Sequence, residues 1–143
     1  MEVFMQNKNN TWPVSVWVGV AGGDFDEYIN QDKYWDSCGF CLDIGQIYDV
    51  DKTSIYVSKT LNSVKELSDE ILFSECFENE LFARCHSLGL IDVNACISIL
   101  DETFDFSSDK DFCGLRFIGV FDYSLPDNML NWNKSEDDSA SNL

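Results

Sequence analysis

Val14-Ser15-Val16-Trp17-Val18-Gly19-Val20 sets four valines on one side of an extended chain and Ser15, Trp17 and Gly19 on the other. That period of two predicts a β-strand. Ala21-Gly22-Gly23 then breaks it, because paired glycines favour a turn. Near the other end, Leu115-Arg116-Phe117-Ile118-Gly119-Val120-Phe121-Asp122-Tyr123 places Leu115, Phe117, Gly119, Phe121 and Tyr123 on one face and is apolar over much of the other. Such a strand belongs in the middle of a sheet. Ala95-Cys96-Ile97-Ser98-Ile99-Leu100 reads as its neighbour, and Ser107-Ser108-Asp109-Lys110-Asp111 as the hairpin tip between the two. A further extended stretch runs through Ile55-Tyr56-Val57.

Helices are expected between these strands. Asp24-Phe25-Asp26-Glu27 and Ser63-Val64-Lys65-Glu66 both have the acceptor-x-x-Glu form of a capping box, in which side chains satisfy the free amides of a helix start. The first opens a helix turning Phe25, Tyr28 and Ile29 inward; the second opens one carrying Val64, Leu67 and Ile71. A short helix is expected over residues 35–42, with a turn at Gly45. The clearest helix starts near Glu75, capped by Ser74. Its stripe is Phe77, Leu81, Phe82, Cys85 and Leu88, and Gly89 ends it. The elements predict one α+β domain, a mostly antiparallel sheet with helices packed on one face. A polar lead-in over 1–12 precedes a domain over 13–125, and an acidic, disordered tail is expected over 126–143.

Composition bounds the function. The 143 residues are 45% hydrophobic with 11 Phe, 5 Tyr and 4 Trp, too rich in core-forming side chains for a disordered chain. Asp and Glu number 26 against 9 Lys and Arg, a formal net charge of −17. A field of that sign repels nucleic-acid phosphates and anionic membranes and attracts basic proteins. Direct nucleic-acid binding and membrane binding are therefore not expected, although acidity can also serve solubility alone. The N-terminal residues lack a basic segment followed by an apolar run, so no secretory signal is expected. The six cysteines then read as reduced thiols in a cytoplasmic protein.

Several patterns could carry chemistry. Cys38-Gly39-Phe40-Cys41 has the spacing of a redox dithiol or half a zinc site, but no second such pair exists and His86 is the only histidine. Structural thiols are the favoured reading. Cys85 and His86 are adjacent, and neighbours on a helix point about 100° apart, so they are not expected to act as nucleophile and base. Asp49 and Asp51 could share a cation, but the calcium-loop pattern does not continue beyond them. No cofactor is expected. A small cation-dependent or thiol-based enzyme or regulator remains the alternative to a binding protein. The carboxylates gather over 24–51, 66–80 and 101–111, with aromatics among them, a combination suited to steering and anchoring a basic partner.

The order of segments resembles the polymorphic-toxin immunity proteins of the immunity protein 22 family. A V-x-V-W-V-G strand is matched by Val14 to Gly19, F-x-x-Y by Phe25-Asp26-Glu27-Tyr28, and D-x-G-x-x-Y-D-x-D by Asp43-Ile44-Gly45-Gln46-Ile47-Tyr48-Asp49-Val50-Asp51. Ser74-Glu75-Cys76-Phe77 precedes a helix ending in Leu88-Gly89, and the last two strands resemble the family's final pair. The chain departs from the pattern at Tyr56, where an acidic residue is expected, and at Cys41, where an aromatic is common. The resemblance implies a non-enzymatic protein that neutralises a cognate toxin domain by tight stoichiometric binding. Charge points to a basic, nuclease-like toxin whose groove the acidic domain fills as a phosphate mimic. Tyr48, Asp49, Asp51, Asp101, Glu102 and Asp105 are the expected partner-binding residues, from their place in acidic, aromatic-bearing segments.

Overall fold

The computed structural model describes residues 11–125. The expected tail over 126–143 and residues 1–10 of the expected lead-in lie outside the described residues. In chain order the elements are β1 (Thr11–Gly19), α1 (Phe25–Tyr28), α2 (Gln31–Tyr34), α3 (Gly39–Ile44), β2 (Thr53–Ser63), α4 (Val64–Leu67), α5 (Glu78–Ser87), β3 (Asp92–Leu100) and β4 (Leu115–Ser124). Short 3-10 turns occupy Trp35–Ser37, Val50–Lys52, Ser68–Glu70 and Ser74–Cys76. The four strands form one antiparallel sheet in the order β2-β3-β1-β4, an α+β domain as the strand and helix patterns predict. Thr11 and Trp12 already belong to β1, where they pair with Ser124 and Tyr123.

Helices lie on both faces of the sheet, where the sequence predicts one. β1 is buried on each side from Val14 to Gly19, and a strand apolar on both faces needs a cover on both. Val14, Val16 and Val18 join Val64 and Leu67 of α4 and Leu81 and Cys85 of α5 in one core. Trp17 joins Phe25 of α1 and Phe40, Cys41 and Ile44 of α3 in the other.

The simple alternation expected through β4 is interrupted by a bulge. Val16 pairs with Gly119 and Trp17 with Phe117, which leaves Ile118 as an extra residue. An extra residue shifts all later side chains to the opposite face. Leu115 and Phe117 accordingly pack with Trp17, while Phe121 and Tyr123 pack with the valines. Gly119, at φ +148°, supplies a backbone conformation that side-chain-bearing residues rarely adopt. Arg84 Nε and Nη2 both donate to the Ile118 carbonyl, at 3.1 and 2.9 Å.

No hairpin joins the last two strands. β3 and β4 flank β1 and are both antiparallel to it, so they run in the same direction and require a crossover. Residues 101–114 make that crossover over the Trp17 face. Phe104, Phe106 and Phe112 lie 5.5, 6.5 and 6.0 Å from the Trp17 ring, beside Phe40 and Phe117 at 5.2 Å each.

Of the expected caps, the Ser63 box forms in full, with Glu66 reaching back to the Ser63 amide. Asp24 makes no cap and instead accepts from Cys113 Sγ at 3.1 Å. Ser74 bonds the Ser68 carbonyl at 2.7 Å, and α5 begins three residues later than predicted, at Glu78. Its apolar stripe is as predicted, with Leu81 and Cys85 buried, and Gly89 follows at φ +77°.

Trp17 is fully buried, and its indole Nε1 has no hydrogen-bond partner among the described residues. Trp17→Ala should therefore cost about 3–5 kcal/mol in urea unfolding. Trp17→Phe should recover most of that loss, because it also removes a buried unpaired donor worth about 1–3 kcal/mol. Equal losses in the two variants would contradict this account of the site.

Candidate functional site

The start of β2 and the end of β3 meet in register, Thr53 opposite Ile99, which sets residues 49–52 beside residues 100–102. Lys52 Nζ is 3.5 Å from Asp101 Oδ2. Asp101 turns the chain out of β3 at φ +65°. Its amide donates to the Pro13 carbonyl at 2.8 Å and its Oδ1 accepts from the Tyr123 hydroxyl at 2.9 Å. Burial, and then the Asp101 carboxylate, push the Tyr123 phenol above its ordinary value. Glu102 is held through its carbonyl by Ser15 Oγ at 2.7 Å, and its Oε1 accepts from Gln46 Nε2 at 3.3 Å. Asp49 Oδ1 accepts from the Asp51 amide at 2.9 Å, which caps the 3-10 turn.

Of the six predicted binding residues, Asp49, Asp51, Asp101 and Glu102 thus come together at one end of the sheet. Asp105 is exposed on the crossover beyond them. Tyr48 lies inside, 8% exposed. Its hydroxyl donates to the Ile29 carbonyl at 2.7 Å, and its amide and carbonyl bond the Gln31 carboxamide at 3.0 Å each. Burial, then the neighbouring Cys38 and Cys41, push its phenol up to about 12. Tyr48 anchors the segment that presents Asp49 and Asp51.

Beside this acidic end is a notch of about 440 Å³, lined by Trp35, Asp36, Cys41, Leu42, Gln46 and Ile47, together with Gly45. Trp35, Leu42 and Ile47 are 63%, 67% and 40% exposed. The hydrogen bond from Gln46 to Glu102 joins notch and carboxylates into one surface. Trp35 adopts φ 53°, ψ −128°, a region nearly reserved for glycine that costs a side-chain-bearing residue about 1–3 kcal/mol. The sequence predicts one helix over 35–42. The structure instead breaks it at Cys38, whose extended backbone (φ −64°, ψ 148°) starts α3 afresh. Gly39 is the available signal of that break, since glycine weakens a helix interior, and a Cβ there would strike the Tyr28 ring.

The thiols of Cys38, Cys41, Cys85 and Cys96 are buried in the packing. Cys38 Sγ donates to Cys41 Sγ at 3.0 Å, and Cys41 Sγ donates to Gln31 Oε1 at 3.2 Å. Burial, then the Cys38 hydrogen bond and charge, push the Cys41 thiol up to about 12. A thiol so held stays protonated near neutrality and is a weak nucleophile. Cys85 is buried and pushed up to about 12 by burial, against a small opposing pull from Arg84, while His86 is exposed. The two point apart, as their adjacency predicts. Among the described residues no three His, Cys, Asp or Glu side chains gather as a metal-holding group.

A family model described as Immunity protein 22 matches residues 14–124. No curated protein and no solved structure matches the chain. The matched span holds all six cysteines, so their behaviour belongs to the domain itself. Cys41, Cys85 and Cys96 each rise from an ordinary 9.0 to about 12 on folding, chiefly through burial. The folded state therefore binds more protons than the unfolded chain between those values, and stability falls as pH rises through that window. The urea midpoint should be flat just below pH 9.0 and decline steadily above it. Cys96→Ala should shallow that decline; an unchanged slope would mean that other groups cause it.

Proposed function

The chain belongs to the immunity protein 22 family, with a toxin-neutralising immunity role, and we propose that it fills this role as a stoichiometric inhibitor that performs no chemistry. In this reading the partner is a basic, nuclease-like domain of a polymorphic toxin, met in the cytoplasm of the producing cell. What carries the reading is the family match over residues 14–124; the net charge of −17 supports the basic partner. A nuclease holds its substrate through a cationic groove, and a carboxylate-bearing surface competes for the same groove with the same sign of charge. Among the described residues no helix is long and apolar enough to cross a membrane.

Asp49, Asp51, Asp101, Glu102 and Asp105 are proposed to meet the toxin's cations, with Tyr48 holding the first two from beneath. Such contacts act chiefly on the rate of encounter. Changing the five together to Asn or Gln should slow association by about tenfold or more at low salt and flatten its dependence on ionic strength. Asn at 101 keeps an acceptor for Tyr123, so the urea midpoint should hold. Stopped-flow mixing with the domain encoded by the adjacent reading frame measures both rates. An unchanged association rate would remove these carboxylates from the interface. Co-expression of the wild-type chain with that domain should restore growth, and continued growth arrest would overturn the immunity reading.

A further inference from the structure

We propose, on the strength of that immunity role, that the notch formed by Trp35, Leu42 and Ile47 is the anchor of the toxin interface, and that it receives a large apolar side chain flanked by Lys or Arg on the toxin domain.

Three large apolar side chains around one opening, two of them more than 60% exposed, form an apolar surface that a lone domain gains nothing by showing to water. Trp35 is presented by a backbone conformation unfavourable to any side chain. Strain of this kind persists where an outward-directed group is used. Tryptophan is also the residue type most enriched among the few positions that dominate interface affinity, typically at the centre of a polar rim. Here the rim is acidic: Asp36 lines the notch, and Gln46, which also lines it, donates to Glu102.

Charge identifies the occupant. Among the described residues no Lys or Arg lines the notch. The segment 31–49 that forms it carries Asp32, Asp36, Asp43 and Asp49 against Lys33 alone. The neighbouring cations are already paired, Lys33 with Glu27, Lys52 with Asp101 and Lys110 with Asp43. An entering apolar group thus meets apolar walls, and the residues beside it meet Asp32, Asp36 and Glu102, which pair with no cation among the described residues. Cations satisfy those and anions do not.

Trp35→Gly separates a binding role from a structural one. Glycine tolerates the backbone at position 35, so the urea midpoint should stay level or rise. Affinity for the domain encoded by the adjacent reading frame, measured by surface plasmon resonance, should fall about 30-fold or more, mainly through faster dissociation. Leu42→Lys, on an exposed side chain, should weaken binding at least as much by adding a like charge to the partner's. Ile91→Ala serves as the control, at an exposed residue by the opposite end of the sheet, and should bind within about threefold of wild type. If Trp35→Gly and Leu42→Lys both bind like wild type, or if Ile91→Ala loses as much as they do, the notch is not the anchor. If the wild-type chain itself does not bind the domain, the immunity reading fails, and this inference with it.

Discussion

Five aromatic rings close on the Trp17 indole, and three separate parts of the chain, α3, the crossover and β4, meet at that contact. Phe40 brings α3 to it, Phe104, Phe106 and Phe112 bring the crossover, and Phe117 brings β4. Ring pairs in edge-to-face or tilted packing add about 0.5–1.5 kcal/mol beyond the area they bury, and they fix mutual orientation as well. Each part of the proposed interface has residues on an element that this cage holds. The crossover that packs on Trp17 carries Glu102 and Asp105, and its first turn is tied to the same β1 face by Ser15. The helix that Phe40 pins carries Leu42 and leads to Gln46 and Ile47.

A strand's alternation is legible in sequence when its two faces differ. Val14 to Val20 differ enough, because valines oppose a serine, a tryptophan and a glycine, and β1 forms there. In β4 both faces are apolar, so Leu115 to Tyr123 reads as unbroken, and nothing in the pattern marks Ile118 as the extra residue except the glycine after it. Partner choice between strands is less legible still. Residues 107–111 do turn, with the Lys110 amide donating to the Ser107 carbonyl at 3.1 Å. Whether that turn ends a hairpin or lies within a crossover depends on β1 having inserted between β3 and β4, a contact made across more than seventy residues. The caps show the same limit. Ser63 Oγ accepts from the Glu66 amide and donates to the Glu66 carboxylate, capping α4, whereas Ser74 Oγ donates to the Ser68 carbonyl and α5 starts without a side-chain cap.

The candidate surface is legible in kind and hidden in arrangement. The acidic segments are plain in the sequence, but only the β2–β3 register brings Asp49 and Asp51 beside Asp101. Tyr48 shares their motif yet points inward, because Gln31, ten residues away from Cys41 and seventeen from Tyr48, bonds both. Trp35 could not be sorted from the core aromatics by composition. Its exposure follows from a backbone dihedral, and dihedrals of that kind are set by the break at Cys38 and the close approach of Gly39 to Tyr28.

The disposition of the cations explains how so acidic a domain keeps its field outward. Arg84 and Arg116 are turned to main-chain carbonyls, Arg84 to Ile118 and Arg116 to Ser108 and Leu88 at 2.7 and 3.1 Å. They hold the fold and pair with no carboxylate among the described residues. The lysine pairs at 3.5–3.8 Å are partly or fully open to solvent, and surface pairs contribute only about 0–1 kcal/mol. A field left unpaired in this way is screened over about 8 Å at physiological salt, so it acts on the final approach of a partner and weakens little as the surfaces close. In the proposed interface the two parts then do different things. The carboxylates at the sheet end hasten encounter, and the apolar notch, which no salt screens, governs how long the complex lasts.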